Sequence, residues 1–340
     1  MKRTLIIAEA GVNHNGDINT AFRLVDAACR AGADYVKFQT FKADKLVSKL
    51  ARKAEYQSKN DLSQDSSQYA MLKRLELTEE DHHRLLAYCE RQGIKFLSTG
   101  FDTESLEFLA SLGIVLCKIP SGEITNLPYL RKAASLFQEI IISTGMAELR
   151  EVWEAVNVFL DAGISRENIK VLHCNTEYPT PMKDVNLSAM LHLRDTLQVE
   201  TGYSDHTLGI EVPVAAVALG AVVIEKHFTL NKNGEGPDHK ASLEPHELKQ
   251  MVDSIRNVEL AMAGSGMKEP SGSERKNLTV ARKSIHLNTH LKKGTVVSES
   301  DLIMLRPGDG ISPFDVDKVI GKRVKADLRA FHKMSWSDLI

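Results

Sequence analysis

The chain has little cysteine, little net charge and no long apolar run, and each shortage removes a class of protein. Its 4 cysteines in 340 residues, Cys29, Cys89, Cys117 and Cys174, stand far apart with no Cys-x-x-Cys pair. That pattern fits reduced thiols serving as small core residues in a cytoplasmic protein better than a disulfide frame or a structural zinc site. Lys and Arg number 43 against 45 Asp and Glu, a formal net charge of -2. Nucleic-acid binding draws on a concentrated basic face that releases counterions, and no Lys/Arg run here exceeds a few residues. Nucleic acid is therefore not expected as a partner. The start, Met1-Lys-Arg-Thr-Leu-Ile-Ile-Ala-Glu-Ala, opens like a secretion signal, but Glu9 breaks the apolar stretch and Asn13-His-Asn follows. No segment approaches the ~20 apolar residues of a membrane helix, so no membrane role is expected.

What is present is ordinary for a folded protein, with 43% hydrophobic and 26% charged residues. The length suits a barrel-sized domain with a smaller module. A short β-branched run followed by an amphipathic helical pattern recurs through the first three quarters of the chain. Strand-like runs are Leu5–Glu9, Tyr35–Gln39, Lys95–Thr99, Leu116–Lys118, Ile140–Thr144, Val171–Cys174, Glu200–Ser204 and Val222–His227. Helical patterns lie between them, such as Thr20–Ala31, Glu79–Gln92, Thr103–Leu112, Glu148–Ala162 and Pro245–Ala263, several closed by a glycine. Eight such units over residues 1–265 predict an α/β fold, a TIM (β/α)8 barrel. An open doubly wound sheet is the alternative, but no Gly-x-Gly-x-x-Gly follows the first strand. Residues 43–77 interrupt the rhythm as a long polar loop after the second strand, where barrels place lids. Residues 266–280, rich in Gly, Ser and charge, read as a linker, and residues 281–340 as a small β-rich domain.

Polar residues gather at the C-terminal ends of these strands, the end where barrels carry their active sites. Lys37 and Gln39 alternate with Val36 and Phe38, so both face one side. Glu9, Thr99, Lys118, Ser121, Glu123, Thr176, Tyr178 and Ser204 take comparable positions. A single terminal Ser, Thr or His is usually a turn or a cap; eight strands ending alike is a site. Lys37 and Lys118 sit inside apolar runs, and an interior lysine needs an anion, either a substrate or an internal carboxylate such as Glu9 or Glu225. His206 and His227 close the last two runs, where paired imidazoles would hold a divalent metal with coordination positions open, as a Lewis acid needs. Hydrogen-bonded core histidines are the plain alternative. Oxygen-rich neighbours (Glu9, Glu123, Asp238) suit Mn²⁺, Mg²⁺ or Co²⁺.

From Ile6 onward the chain resembles the bacterial sialic acid synthases. The segments that carry the likeness include Ala8-Glu-Ala-Gly-Val-Asn-His-Asn-Gly, Val36-Lys-Phe-Gln-Thr, Lys118-Ile-Pro-Ser-Gly-Glu, His173-Cys-Asn-Thr-Glu-Tyr-Pro, Tyr203-Ser-Asp-His-Thr, Ile224-Glu-Lys-His-Phe, Gly236-Pro-Asp and Arg306-Pro-Gly-Asp-Gly. The resemblance implies a barrel followed by an antifreeze-like (SAF, β-clip) domain, and a homodimer in which that domain covers the partner's barrel. It implies phosphoenolpyruvate held by Lys37, Thr99, Lys118, Ser121, Ser204 and Thr176, although Asn175 before Thr176 departs from the family pattern and leaves the phosphate contact with either residue. It also implies Mn²⁺ on His206 and His227, sugar contacts from Gln39, Tyr178 and Arg306, and catalytic Glu123, Glu9 and Asp238. The expected reaction joins phosphoenolpyruvate to N-acetylmannosamine, giving N-acetylneuraminate. The alternatives are a 2,4-diacetamido-2,4,6-trideoxymannose acceptor, giving N,N'-diacetyllegionaminate, and a Schiff-base aldolase using Lys118 or Lys37.

Overall fold

A computed structural model describes residues 3–54, 57–58 and 67–340. The chain divides into two compact units, Met1–Ala263 and Gly264–Ile340. In the first, eight parallel strands follow the order β3-β2-β1-β8-β7-β6-β5-β4. These are β1 Leu5–Gly11, β2 Tyr35–Thr40, β3 Lys95–Gly100, β4 Leu116–Ile119, β5 Glu139–Ser143, β6 Ile169–Cys174, β7 Glu200–Asp205 and β8 Val223–His227. The end strands β3 and β4 lie against each other, so the sheet curls into a nearly closed (β/α)8 barrel. No described helix is long and apolar enough to cross a membrane.

The period of two in a strand divides each strand between the helical jacket and the barrel interior. Ile7, Leu97, Leu116, Ile141, Leu172 and Val223 point inward and pack into an apolar floor. Two residues further along the same strands come Glu9, Thr99, Lys118, Ser143, Cys174 and Glu225, so the next layer up is polar. The floor excludes water from below, and the layer above it opens toward the C-terminal ends.

Helix Ile18–Ala31 shows how the jacket is specified: Asp17 caps its first amides, Gly32 closes it at φ 84, and Ala21, Leu24, Val25 and Ala28 form the buried stripe. The segment expected to be a polar loop after β2 includes the helices Ala43–Leu46 and Gln68–Leu75. Its apolar residues are few but well spaced. Met71, Leu72 and Leu75 pack with Val12, Phe41 and Ala43 into a small core of their own. Ser58–Asp65, the most polar part of that segment, falls largely outside the described residues.

The second unit carries a two-stranded antiparallel sheet, β9 Ser284–Leu287 with β10 Leu302–Leu305, over a separate core containing Ile285, Leu287, Val297, Val319, Val324 and Met334. The segment read as a linker belongs to this unit and includes the short helices Gly272–Arg275 and Leu278–Ala281.

Candidate active site

A cavity of about 380 Å³ opens at the C-terminal ends of the strands. Lining it are Glu9, Lys37, Gln39, Thr99, Lys118, Ser121, Glu123, Thr176, Tyr178, Ser204, His206, His227 and Asp238, residues drawn from across the barrel's strands and the loops that follow them. Arg306 stands in the second unit, exposed, with Nε donating to the Ala281 carbonyl at 2.9 Å.

At the centre is a buried ionic cluster. Lys37 Nζ lies 2.8 Å from Glu9 Oε2 and 3.7 Å from Glu225 Oε2, and donates to Thr99 Oγ1 at 2.9 Å. Lys118 Nζ lies 3.6 Å from Glu225 Oε1 and donates to Ser143 Oγ at 2.8 Å. Ser204 Oγ donates to Glu225 Oε1 at 3.0 Å, and Gln39 Nε2 to Glu9 Oε1 at 3.3 Å. Burial raises the Glu225 pKa, but Lys118 and Lys37 outweigh it and bring the group down to about 2. Burial pushes Glu9 up to about 7, opposed by Lys37 and reinforced by Glu225. Lys118 is lowered, chiefly by burial. The two lysines thus face Glu9 and Glu225 at the edge of open volume, where an anion entering the cavity would meet both ammonium groups.

Hydrogen bonding points the same way. Buried polar atoms are almost always paired, so unpaired ones call for an explanation. Among the described residues seven buried side-chain atoms lack a hydrogen-bond partner; Glu9 Oε2, Thr176 Oγ1, Glu225 Oε2 and His227 Nδ1 belong to cavity-lining residues, and Asn13 Oδ1, His14 Nε2 and Tyr203 Oη do not. Glu9 Oε2 has its ionic neighbour Lys37 without hydrogen-bond alignment. Asn175 and Thr176 differ in how their side chains are engaged. Asn175 spends its side chain locally, on the Asp184 carbonyl and the Glu177 amide, whereas Thr176 lines the cavity with its hydroxyl unused. Gly145 permits this arrangement, because a Cβ there would come within 2.1 Å of Thr176 Oγ1.

On the other side, the rings of His206 and His227 lie 5.4 Å apart, with the Tyr178 ring 4.0 Å from His206 and tilted by 31°. His206 Nδ1 is 2.5 Å from the Asn175 carbonyl, which accepts, so in the neutral ring Nδ1 carries the proton and Nε2 the lone pair. His227 Nδ1 is the unpaired atom noted above, 3.8 Å from Asp238 Oδ2. Burial is the largest cause holding His227 well below its ordinary pKa, which favours its neutral form. Among the described residues no group of three or more His, Cys, Asp or Glu side chains is placed to hold a metal ion. A lone-pair imidazole beside an orphaned one, with carboxylates near, nevertheless fits a divalent ion that keeps open positions.

Glu123 sits just after β4, half-buried, accepting from Asn126 Nδ2 at 2.6 Å, with its pKa raised by burial. Burial likewise raises Asp238 to about 6. Two site residues were not in the expected set. Glu225 was placed on one face with His227 and weighed as an internal partner for the lysines, without a site role; it joins both lysines to the Ser204 and His227 side of the cavity. Cys174, expected to be plain core, lines the cavity with Sγ 3.8 Å from His206 Nδ1. Its inward position at the end of β6 was legible from the alternation.

Residues 24–268 match the NeuB family and residues 282–330 the SAF domain. The chain is 53% identical to the N,N'-diacetyllegionaminic acid synthase of Campylobacter jejuni, covering 95% of this chain and 96% of that one. It is 51% identical to the enzyme of the same name from Legionella pneumophila, covering 98% and 94%. Among solved structures, the N-acetylneuraminic acid synthetase of Leptospira borgpetersenii in complex with citrate superimposes with a TM-score of 0.71 at 33% identity, over 81% of this chain and 90% of that one. The chain therefore belongs to the NeuB family of sialic-acid-type synthases, with a SAF domain after its barrel.

Proposed function

We propose that this enzyme condenses phosphoenolpyruvate with 2,4-diacetamido-2,4,6-trideoxymannose, releasing phosphate and N,N'-diacetyllegionaminate. The observation that carries the acceptor is the likeness to two N,N'-diacetyllegionaminic acid synthases over nearly the whole chain. It favours this sugar over the N-acetylmannosamine expected from the family resemblance. The cavity supports the same choice. Leu46, Val47, Met71, Leu72, Leu75 and Phe101 give it an apolar wall, which suits a 6-deoxy sugar's methyl group better than a hydroxymethyl that would lose its water.

Lys37, Lys118, Thr99, Ser121, Thr176 and Ser204 supply the donors for a phosphate and a carboxylate. C3 of phosphoenolpyruvate attacks the open-chain aldehyde, forming the C–C bond and leaving positive charge at C2. Water adds at C2, and phosphate leaves with cleavage of the C–O bond. Glu123, with its raised pKa, is suited to taking the proton of that water or to steadying the cation. A divalent ion, most simply Mn²⁺, would be held by His206 and His227 and would supply Lewis acidity at the aldehyde oxygen. Gln39, Tyr178 and Glu9 border the sugar's space, and Asp238 faces the His227 side of it. A cytoplasmic homodimer, with Arg306 of one copy meeting the acylamino group in the other, completes the reading and rests on the family resemblance.

Phosphate release measured with both acceptors in parallel, with and without chelator and added Mn²⁺, tests the proposal. Faster release with the diacetamido sugar, lost on chelation, is expected. Release with neither sugar would remove the synthase reading, and trapping by borohydride with pyruvate would replace it with a Schiff-base aldolase.

A further inference from the structure

The segment Asn13-His-Asn has polar side chains that do not line the cavity, and those of Asn13 and Asn15 reach the loop that follows β8. Asn13 Nδ2 donates to the Phe228 carbonyl at 2.8 Å and to Ser242 Oγ at 2.9 Å, and Ser242 Oγ donates to the Asp238 carbonyl at 2.7 Å. Asn15 Nδ2 donates to the Glu235 carbonyl at 2.8 Å and lies 3.3 Å from His239 Nε2. Between these anchors sits His239, 5% exposed, its Nδ1 2.6 Å from Thr229 Oγ1. The Thr229 hydroxyl donates to the Asn231 carbonyl, so it accepts from His239 Nδ1, which leaves the Nε2 lone pair for Asn15.

The loop is built around this ring. A Cβ on Gly236 would come within 2.9 Å of His239 Cδ2, and one on Gly234 within 3.1 Å of its Cε1. Gly236 also has φ +145, a conformation that a side chain would strain. Asp238, the residue before His239, turns from this packed ring toward the cavity, where its Oδ2 reaches His227. Gly11 leaves the room, since a Cβ there would meet Asp238 Oδ2 at 3.4 Å and Glu9 Oε1 at 3.3 Å.

We infer that His239, clasped by Asn15 and Thr229, is a positioning residue that holds the Asp238 carboxylate at the metal side of the cavity. Its catalytic consequence rests on the synthase reading above; the clasp itself does not. Without the ring, Gly234 and Gly236 lose the surface they pack on, and the Asp238 backbone loses its fixed direction.

The test compares His239→Ala, His239→Gln, Asp238→Asn and the His239→Ala/Asp238→Asn pair by phosphate release and by amide hydrogen exchange. His239→Ala is expected to speed exchange across residues 233–241 at least ~10-fold while β4–β6 keep theirs. It should lower kcat ~10–100-fold with KM for phosphoenolpyruvate little changed, since a misplacement of about 1 Å carries that scale of loss. The pair should turn over no more slowly than Asp238→Asn alone, and His239→Gln should recover part of the rate. Unchanged loop exchange, effects that multiply in the pair, or Asp238→Asn turning over like wild type would each overturn the inference. Wild type that releases no phosphate would remove the synthase reading while the exchange comparison still decides the clasp. Should His239→Ala fail to fold, Asn15→Ala opens the clasp from its exposed side and is read against the same outcomes.

Discussion

Strands β7 and β8 carry two buried acid–base assemblies one residue apart, and they have opposite characters. Ser204 and Glu225 face inward, and Glu225 meets Lys37 and Lys118 there. Asp205 and Lys226, the next residues, face outward and pair with each other at 2.5 Å, both wholly inaccessible. The outer pair is complete. Asp205 accepts from the Thr207 amide and hydroxyl at 3.0 Å each, and Lys226 also donates to the Thr207 carbonyl. The inner cluster is equally buried but leaves Glu9 Oε2 and Glu225 Oε2 without hydrogen bonds beside a cavity. Burial and charge alone do not mark a site; unfinished hydrogen bonding next to open volume does.

The contrast breaks most visibly at the lysines. Lys118→Ala should cut kcat/KM for phosphoenolpyruvate roughly 1000-fold, the scale of losing a charged donor at a reacting anion, with a modest change in thermal midpoint. A large loss of stability with the rate preserved would make the inner cluster another structural pair. Lys226→Met should do the reverse. Stranding Asp205 costs ~3–5 kcal/mol in denaturant unfolding, while kcat/KM stays close to wild type at temperatures where the variant is folded. Loss of activity in the folded variant would contradict the division.

A smaller effect comes from pH. Folding raises the Glu9 pKa from 4.5 to about 7, so its contribution to stability is fully present below the ordinary carboxylate range and is lost as pH rises through about 7. Glu9→Gln cannot ionise. Relative to it, wild type should lose on the order of 1–3 kcal/mol between about pH 5 and pH 8, read from urea midpoints at each pH. Parallel curves for the two proteins would show that Glu9 does not titrate there.

Much of the barrel was legible because periodicity is local. The runs beginning at Leu5, Tyr35 and Lys95 start where β1, β2 and β3 start, and the alternation put Lys37 with Gln39 and Glu225 with His227 on shared faces. The helices Ala43–Leu46 and Gln68–Leu75 were obscured by the polar composition around them, because their apolar stripe is short and its partners, Val12 and Phe41, lie elsewhere in the chain. Helix Glu211–Ala218 shows the opposite problem. It is apolar on most faces, with Val212, Pro213, Ala216 and Val217 buried, so it carries no strong stripe. His206 and His227 were legible as strand ends, but the tautomer of His206 depends on the Asn175 carbonyl, a contact across 31 residues.

Alternation determined by itself which residues of each strand face the barrel's interior, because a strand's two faces are set by parity alone. Only the tertiary structure decided which buried charges are finished and which are waiting. That the Asp205 and Lys226 pair is closed by Thr207, that Thr176 rather than Asn175 opens onto the cavity, and that His239 fills the loop carrying Asp238 all depend on groups brought together from distant or opposed elements. Hydrogen-bond satisfaction is a property of the whole neighbourhood in space, and no single run of sequence contains it.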